Sequence, residues 1–234
     1  LNAIPPVPVG ERKIIARRAA GELYDNAIVN LGIGMPDGVA SIAAEENVAS
    51  RFMLTTELGT YGGIPASGGD FGAAWNPEAI IEHEAQFDFY DGGGLDIAFL
   101  GLAQADQNGN LNVSKFGPKV VGPGGFINIS QTAKKVVFCG TLVNGAKLSL
   151  EGGKLTVLEE GRTRKFVEQV DHVTFSGEFA RENDKPVFFI TERCVLELRK
   201  EGMVLTELAP GLDLEKDVLS VMDFKPIIAD DLKT

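Results

Sequence analysis

The sequence predicts an α/β protein: an open, mostly parallel sheet with flanking helices, followed by a β-rich C-terminal part. Three observations carry this. Up to about Gly140, short apolar runs of strand length alternate with segments whose apolar residues recur at helical spacing. Glycine turns adjoin several of those runs. Beyond Gly140 the apolar runs are mostly strand-like, punctuated by Gly152-Gly153 and Gly202.

Taken in order, Ile15, Ala19, Ala20 and Leu23 predict a helix from about Glu11 to Leu23. Ala27 to Leu31 reads as a buried strand, and Gly32-Ile33-Gly34-Met35-Pro36 follows it as a turn. A helix starts near Pro36 and continues through Val39, Ile42 and Ala43. Phe52 to Leu54 is a second strand, closing at Thr55-Thr56-Glu57. The glycine-rich stretch from Gly59 to Gly72 is long and irregular, which in a compact domain points to function. Asn76-Pro77-Glu78 is expected to cap a helix running to about Gln86. Asp96 to Ala105 reads as a strand, Gln107-Asn108-Gly109-Asn110 as a turn, and Leu111-Asn112-Val113 as its hairpin partner. Gly122-Pro123-Gly124-Gly125-Phe126 is another glycine turn before a strand at Val136 to Cys139. Strands follow at Leu155–Leu158, Phe166–Val170, Val187–Ile190 and Val195–Leu198. The last is expected at Val204 to Leu208, and a short final helix at Asp213 to Val221.

With 234 residues, 44% of them hydrophobic, the chain suits one large domain over residues 11–234, with residues 1–10 as a linker. The start at Leu1, with Pro5, Pro6 and Pro8 close behind, reads as a piece of a longer chain or one half of a processed precursor. Net charge is −11 and no Lys/Arg cluster is dense, so nucleic acid and anionic membranes are poor partners. No apolar run reaches about 18 residues, so no membrane span is predicted. Cys139 and Cys194 lie in apolar runs and read as buried free thiols in a reducing cytoplasm. Neither has metal-ligand spacing, and no metal is expected.

Three glycine-rich segments adjoin strands: Gly32-Ile33-Gly34, Glu57-Leu58-Gly59 with Gly62-Gly63, and Gly122-Pro123-Gly124-Gly125. Loops at strand ends of an open α/β sheet are where ligands bind, and glycines let backbone amides approach an anion. Each turn alone is weak, being neither a Walker loop nor a full Rossmann fingerprint. Glu57 closes an apolar strand and opens a glycine loop with no adjacent cation. The pattern leaves it open as a catalytic carboxylate or a solvated one.

In this order the segments resemble the family I CoA-transferases, and more closely the C-terminal half of acetate and propionate CoA-transferases. The family's Glu-Xaa-Gly motif is matched by Glu57-Leu58-Gly59, followed by Gly62-Gly63-Ile64-Pro65, Phe71-Gly72-Ala73 and Asn76-Pro77. The likeness continues through Phe87-Asp88-Phe89-Tyr90-Asp91-Gly92-Gly93-Gly94, Gly124-Gly125-Phe126-Ile127-Asn128-Ile129, Ile190-Thr191-Glu192-Arg193-Cys194 and Val221-Met222-Asp223-Phe224. It covers nearly the whole chain after about Glu11.

The resemblance implies that Glu57 is the nucleophile in CoA transfer from a short-chain acyl-CoA to a free carboxylic acid, through a glutamyl-CoA thioester. A carboxylate is already charged at neutral pH and needs no general base. Backbone amides at Gly32, Ile33 and Gly34 and at Gly124 and Gly125 are the candidates for CoA binding and the oxyanion. CoA is then a substrate, and no cofactor is expected. The resemblance also implies an N-terminal or α half as partner, a higher homo- or hetero-oligomer, and a cytoplasmic location. A sugar-phosphate isomerase-like or ligand-sensing domain of the same fold superfamily is the alternative; it would lack the Glu-Xaa-Gly nucleophile. His83 and His172 read as bland, Trp75 as buried packing, and Glu78, Glu82 and Glu84 as a solvated helix face.

Overall fold

The computed structural model describes residues 6–66 and 68–234. They group into two compact units interleaved along the chain, one of residues 6–8, 12–101 and 124–139, the other of 9–11, 102–123 and 140–234. Residues 1–5 of the expected linker lie outside the described residues. Within the rest of that linker, Val7 is buried and its amide bonds Glu45 Oε1 at 2.6 Å.

The first unit holds α1 (Glu11–Ala20), β1 (Ile28–Leu31), α2 (Gly38–Glu45), β2 (Met53–Thr55), β3 (Thr60–Tyr61), β4 (Ala79–Ile80), α3 (His83–Asp91), β5 (Ile97–Gly101), α4 (Phe126–Thr132) and β6 (Lys135–Cys139). Its strands lie in the order β6-β5-β1-β2-β3-β4. The first four are mutually parallel, and β3 and β4 form an antiparallel edge. Val29, Leu31, Ile97, Phe99, Val137 and Phe138 are all buried, which is why these strands read as continuous apolar runs. α1 stops at Ala20, short of the expected Leu23, because Gly21 is a poor helix residue and its amide turns back to Arg18. α1 and α2 pack where Gly38 meets the Ala16 methyl, and Lys13–Glu45 and Arg17–Glu46 pairs join them at 2.8 and 2.9 Å.

The helix expected from Asn76 begins only at His83. Asn76 takes a left-handed φ of 50°, and the Glu78 amide bonds the Tyr61 carbonyl at 2.8 Å. Sheet-edge pairing at β3 and β4 therefore overrides the capping signal. α4 had no expected counterpart, since the glycine turn and β-branched residues around Ile127 and Ile129 mask its helical spacing.

The second unit is mostly β. Its strands include β7 (Lys147–Glu151) and β8 (Lys154–Glu159), an antiparallel hairpin whose Gly152-Gly153 turn has φ of 55° and 78°. α5 (Gly177–Glu182) follows, with the Ser176 hydroxyl accepting from the Phe179 amide. Next come β9 (Val187–Ile190), β10 (Cys194–Arg199), β11 (Gly202–Leu208) and β12 (Ile227–Lys233), in the order β12-β11-β10-β9. β12 corrects the expectation that the chain's last strand ends near Leu208; its Asp230-Asp231 pair breaks the apolar pattern. The final helix lies where expected but is not α-helical: Asp213 caps a π-turn over Leu214–Val218, and a 3₁₀ turn follows over Leu219–Val221. Gln104–Asp106 and Leu111–Asn112 form the expected hairpin.

Cys139 and Cys194 are buried and unpaired, and burial pushes both thiols up, Cys194 to about 12. The fully buried Arg193 holds Glu160 by two bonds of 2.8 Å, Glu192 at 3.1 Å and the Asp217 carbonyl at 2.9 Å. Among the described residues no helix is long and apolar enough to cross a membrane. Nor does any group of three or more His, Cys, Asp or Glu side chains there have the arrangement to hold a metal ion.

Candidate active site

β2 delivers Glu57 to the carboxyl end of the parallel strands. Its last residues are fixed from below. Thr55 Oγ1 donates to the Val29 carbonyl at 2.9 Å and lies 2.7 Å from the Tyr90 hydroxyl. Tyr90 is fully buried and also accepts from Asn30 Nδ2 at 3.1 Å. Burial drives its phenol up to about 12, so it stays a neutral donor. The Thr56 carbonyl accepts from the Gly59 amide at 3.0 Å and from Gln86 Nε2 at 3.0 Å.

The first of those bonds closes a β-turn with Glu57 and Leu58 at its centre. This gives the Glu-Xaa-Gly spacing a physical meaning. Gly59 has φ 101°, and a Cβ there would strike the Ile81 carbonyl, so only glycine closes the turn. Glu57 is thrust out at the corner. Its carboxyl is half-buried, and burial pushes it above the usual glutamate range while the charge of His83 pulls it back.

Gly125, immediately before α4, lies against that carboxyl. A Cβ built on Gly125 would lie 2.5 Å from Glu57 Oε2 and 2.7 Å from Phe87 Cζ. The structure thus brings Glu57 and Gly125 together, with Gly124 beside them at φ 54°. The Gly32-Ile33-Gly34 turn leaves β1, whose Asn30 pairs in parallel with Thr55, so this turn and the Glu57 turn leave neighbouring strands at the same end of the sheet. The Gly32 amide is already bonded to the Phe99 carbonyl at 2.8 Å, which removes it as an anion donor. Gly34 has φ 93°, and its carbonyl accepts from Arg12 Nη2 at 2.7 Å. The Ile33 side chain is 60% exposed.

A cavity of about 1980 Å³ opens beside this region, walled by Arg12, Gly34, Tyr61, Gly62, Gly63 and Ile64 among others. It is larger than a closed small-ligand pocket. It is an open groove whose walls include neither Glu57 nor Phe87 nor Gly125.

Two expectations change. Trp75 is 65% exposed rather than buried, standing on the two-residue hairpin strand Ala74–Trp75. Glu78 precedes α3 on the β3–β4 side, so Glu78, Glu82 and Glu84 are exposed but do not share one helix face. Sequence reasoning missed Asn30, Thr55, Gln86 and Tyr90, the polar layer under Glu57, and set His83 aside. Only the Phe-Asp-Phe-Tyr-Asp run hinted at a polar handle within an apolar helix.

No family model matches the sequence. It is 51% identical over 238 residues to the caffeate CoA-transferase of Acetobacterium woodii, covering 100% of this chain and 45% of that protein. It is 29% identical to the β chain of a probable coenzyme A transferase of Bacillus subtilis, over 86% of this chain and 81% of that one. The crystal structure of the acyl-CoA transferase YdiF of Escherichia coli O157:H7, as a thioester complex with CoA, superposes with a TM-score of 0.90 and 45% identity. That match covers 98% of this chain and 44% of the other. Over nearly its whole length the chain thus matches one half of these CoA-transferases. The chain covers the β-subunit-like half of a family I CoA-transferase, and spans less than half the length of the relatives it matches at about 50% identity.

Proposed function

We propose that the chain carries the nucleophile for CoA transfer between a short-chain acyl-CoA and a free carboxylic acid, acting with an N-terminal or α half. Glu57 attacks the thioester carbonyl, expelling CoA thiolate and leaving a mixed anhydride. The thiolate then attacks the Glu57 carbonyl, releasing the first carboxylate and forming a glutamyl-CoA thioester. The acceptor carboxylate runs the two steps in reverse. No proton transfer and no cofactor are needed, and CoA is a substrate.

The observation that carries this reading is the half-buried Glu57 carboxyl at the corner of a glycine-closed turn, against Gly125. Partial burial withdraws water from the carboxylate, which sharpens it as a nucleophile. Amides at Ile33 and Gly34 and at Gly124 and Gly125 border the same strand ends and are the proposed oxyanion donors. Each such donor is typically worth about 10²–10³ in rate. The 45%-identical YdiF structure is a thioester complex with CoA, which supports the covalent route. The two buried thiols fit a reducing cytoplasm.

The test is CoA exchange. The full-length protein, or the chain joined by its α half, is given acetyl-CoA and propionate. Wild type yields propionyl-CoA and Glu57→Ala yields none; turnover retained by the variant excludes Glu57 as the nucleophile.

A further inference from the structure

Glu57 carries a problem that the glycine turns do not solve. Its carboxyl is half-buried, and among the described residues no lysine or arginine supplies a counter-charge; the charge acting on it is that of His83. His83 opens α3, and its place is fixed from two directions. Two residues before it, the Ile81 amide bonds the Gly59 carbonyl at 2.9 Å, tying this segment to the far end of the Glu57 turn. One helical turn after it, Phe87 meets the His83 ring edge-on with centroids 4.9 Å apart. Phe87 and Glu57 Oε2 then converge on the same Gly125. His83, Phe87, Gly125 and Glu57 therefore form one continuous cluster.

We propose that His83 is a positioning residue for the reaction, its protonated imidazole supplying the counter-charge to the Glu57 carboxylate. The inference rests on the reading of Glu57 as nucleophile. The turns Gly32–Met35 and Gly124–Gly125 carry no ionisable side chain. Tyr61 on β3, Asp70 in the following loop, Glu82, Glu84, Asp88, Tyr90 and Asp91 at or on α3, and Arg12, which donates to the Gly34 carbonyl, are the other titratable groups of the surrounding elements. The acids and phenols bear no positive charge, and Arg12 is already paired with Asp37 and the Gly34 carbonyl, which leaves His83 for this task. A titratable cation suits the task better than a fixed one. A permanent ion pair would hold the carboxylate back from the thioester, whereas an imidazolium charges only on the acid side, where a half-buried carboxylate risks protonation.

The test compares wild type, His83→Gln and His83→Lys in the full-length protein. It measures the rate of CoA adduct formation on Glu57 from acetyl-CoA between pH 5 and pH 8. Removing the imidazolium moves the acid limb to higher pH, so the His83→Gln to wild-type rate ratio falls by about threefold or more from pH 8 to pH 5. His83→Lys, which keeps a positive charge, brings that ratio back toward its pH 8 value. A ratio constant across the range, or a lysine variant that tracks the glutamine variant, overturns the role of His83 and leaves Glu57 standing. Wild type forming no adduct at any pH overturns the nucleophile reading and this inference with it.

Discussion

Substituting Gly125 by alanine isolates the geometry of the site without touching a reacting group. Gly125 has φ −76° and ψ −2°, a conformation alanine adopts freely, so the backbone gives no objection. The added methyl carbon would lie 2.5 Å from Glu57 Oε2 and 2.7 Å from Phe87 Cζ. Ordinary contact begins near 3.4 Å, so the carboxylate and the ring must each retreat by roughly 1 Å. Overpacking of this size costs about 1–3 kcal/mol of stability where the neighbours are rigid. Glu57 is only half-buried and free to swing outward, so the lower end is expected, near 1 kcal/mol. Its catalytic cost is larger, because a displacement of about 1 Å at a reacting atom is worth roughly 10² in rate. The assays are single-turnover formation of the CoA adduct and urea unfolding. A rate loss of about 10²-fold with a modest drop in stability is expected. A variant with wild-type rate and wild-type stability refutes the contact between Gly125 and Glu57.

Tyr90→Phe leaves Asn30 Nδ2 and Thr55 Oγ1 without the hydroxyl between them, and should cost about 1–3 kcal/mol in urea unfolding. Gly59→Ala forces a side chain into φ 101° and against the Ile81 carbonyl; it should abolish exchange and lower stability by more than about 1 kcal/mol. Glu160→Gln tests the Arg193 cluster by pH. The Arg193 guanidinium holds the Glu160 carboxyl below its ordinary value of 4.5, so its stabilisation is complete above that value and fades as pH falls through the lowered one. The variant should therefore lose about 2 kcal/mol at pH 7, less than a fully buried pair because Glu160 is 37% exposed. That gap should narrow toward pH 3.

What was legible followed from local signals. Helical spacing at Ile15 and Ala19, and apolar runs at Ala27–Leu31 and Val136–Cys139, pointed to the parallel part of the first unit, because those strands are buried on both faces. The Gln107–Asn110 turn was readable because Gly109 takes φ 77° and the Asp106 carboxylate accepts from the Asn108 and Asn110 amides. Asn76-Pro77-Glu78 misled because a local capping pattern lost to backbone pairing with Tyr61. β12 was invisible because only Ala229 is buried along it. Ser176 was a usable cap signal for α5 and went unread. At the site, Glu57 stood out by its motif. The layer of Asn30, Thr55, Gln86 and Tyr90 could not be seen, because its members are scattered over sixty residues and meet only when β1, β2 and α3 pack.

The most direct test is a peptide mass measurement on the full-length protein after brief exposure to acetyl-CoA. If Glu57 is the nucleophile, the fragment bearing it gains the mass of a CoA thioester, which disappears once acetate or propionate is added in excess. CoA attached to another residue, or an unmodified Glu57 fragment in a preparation that is turning over, contradicts that role.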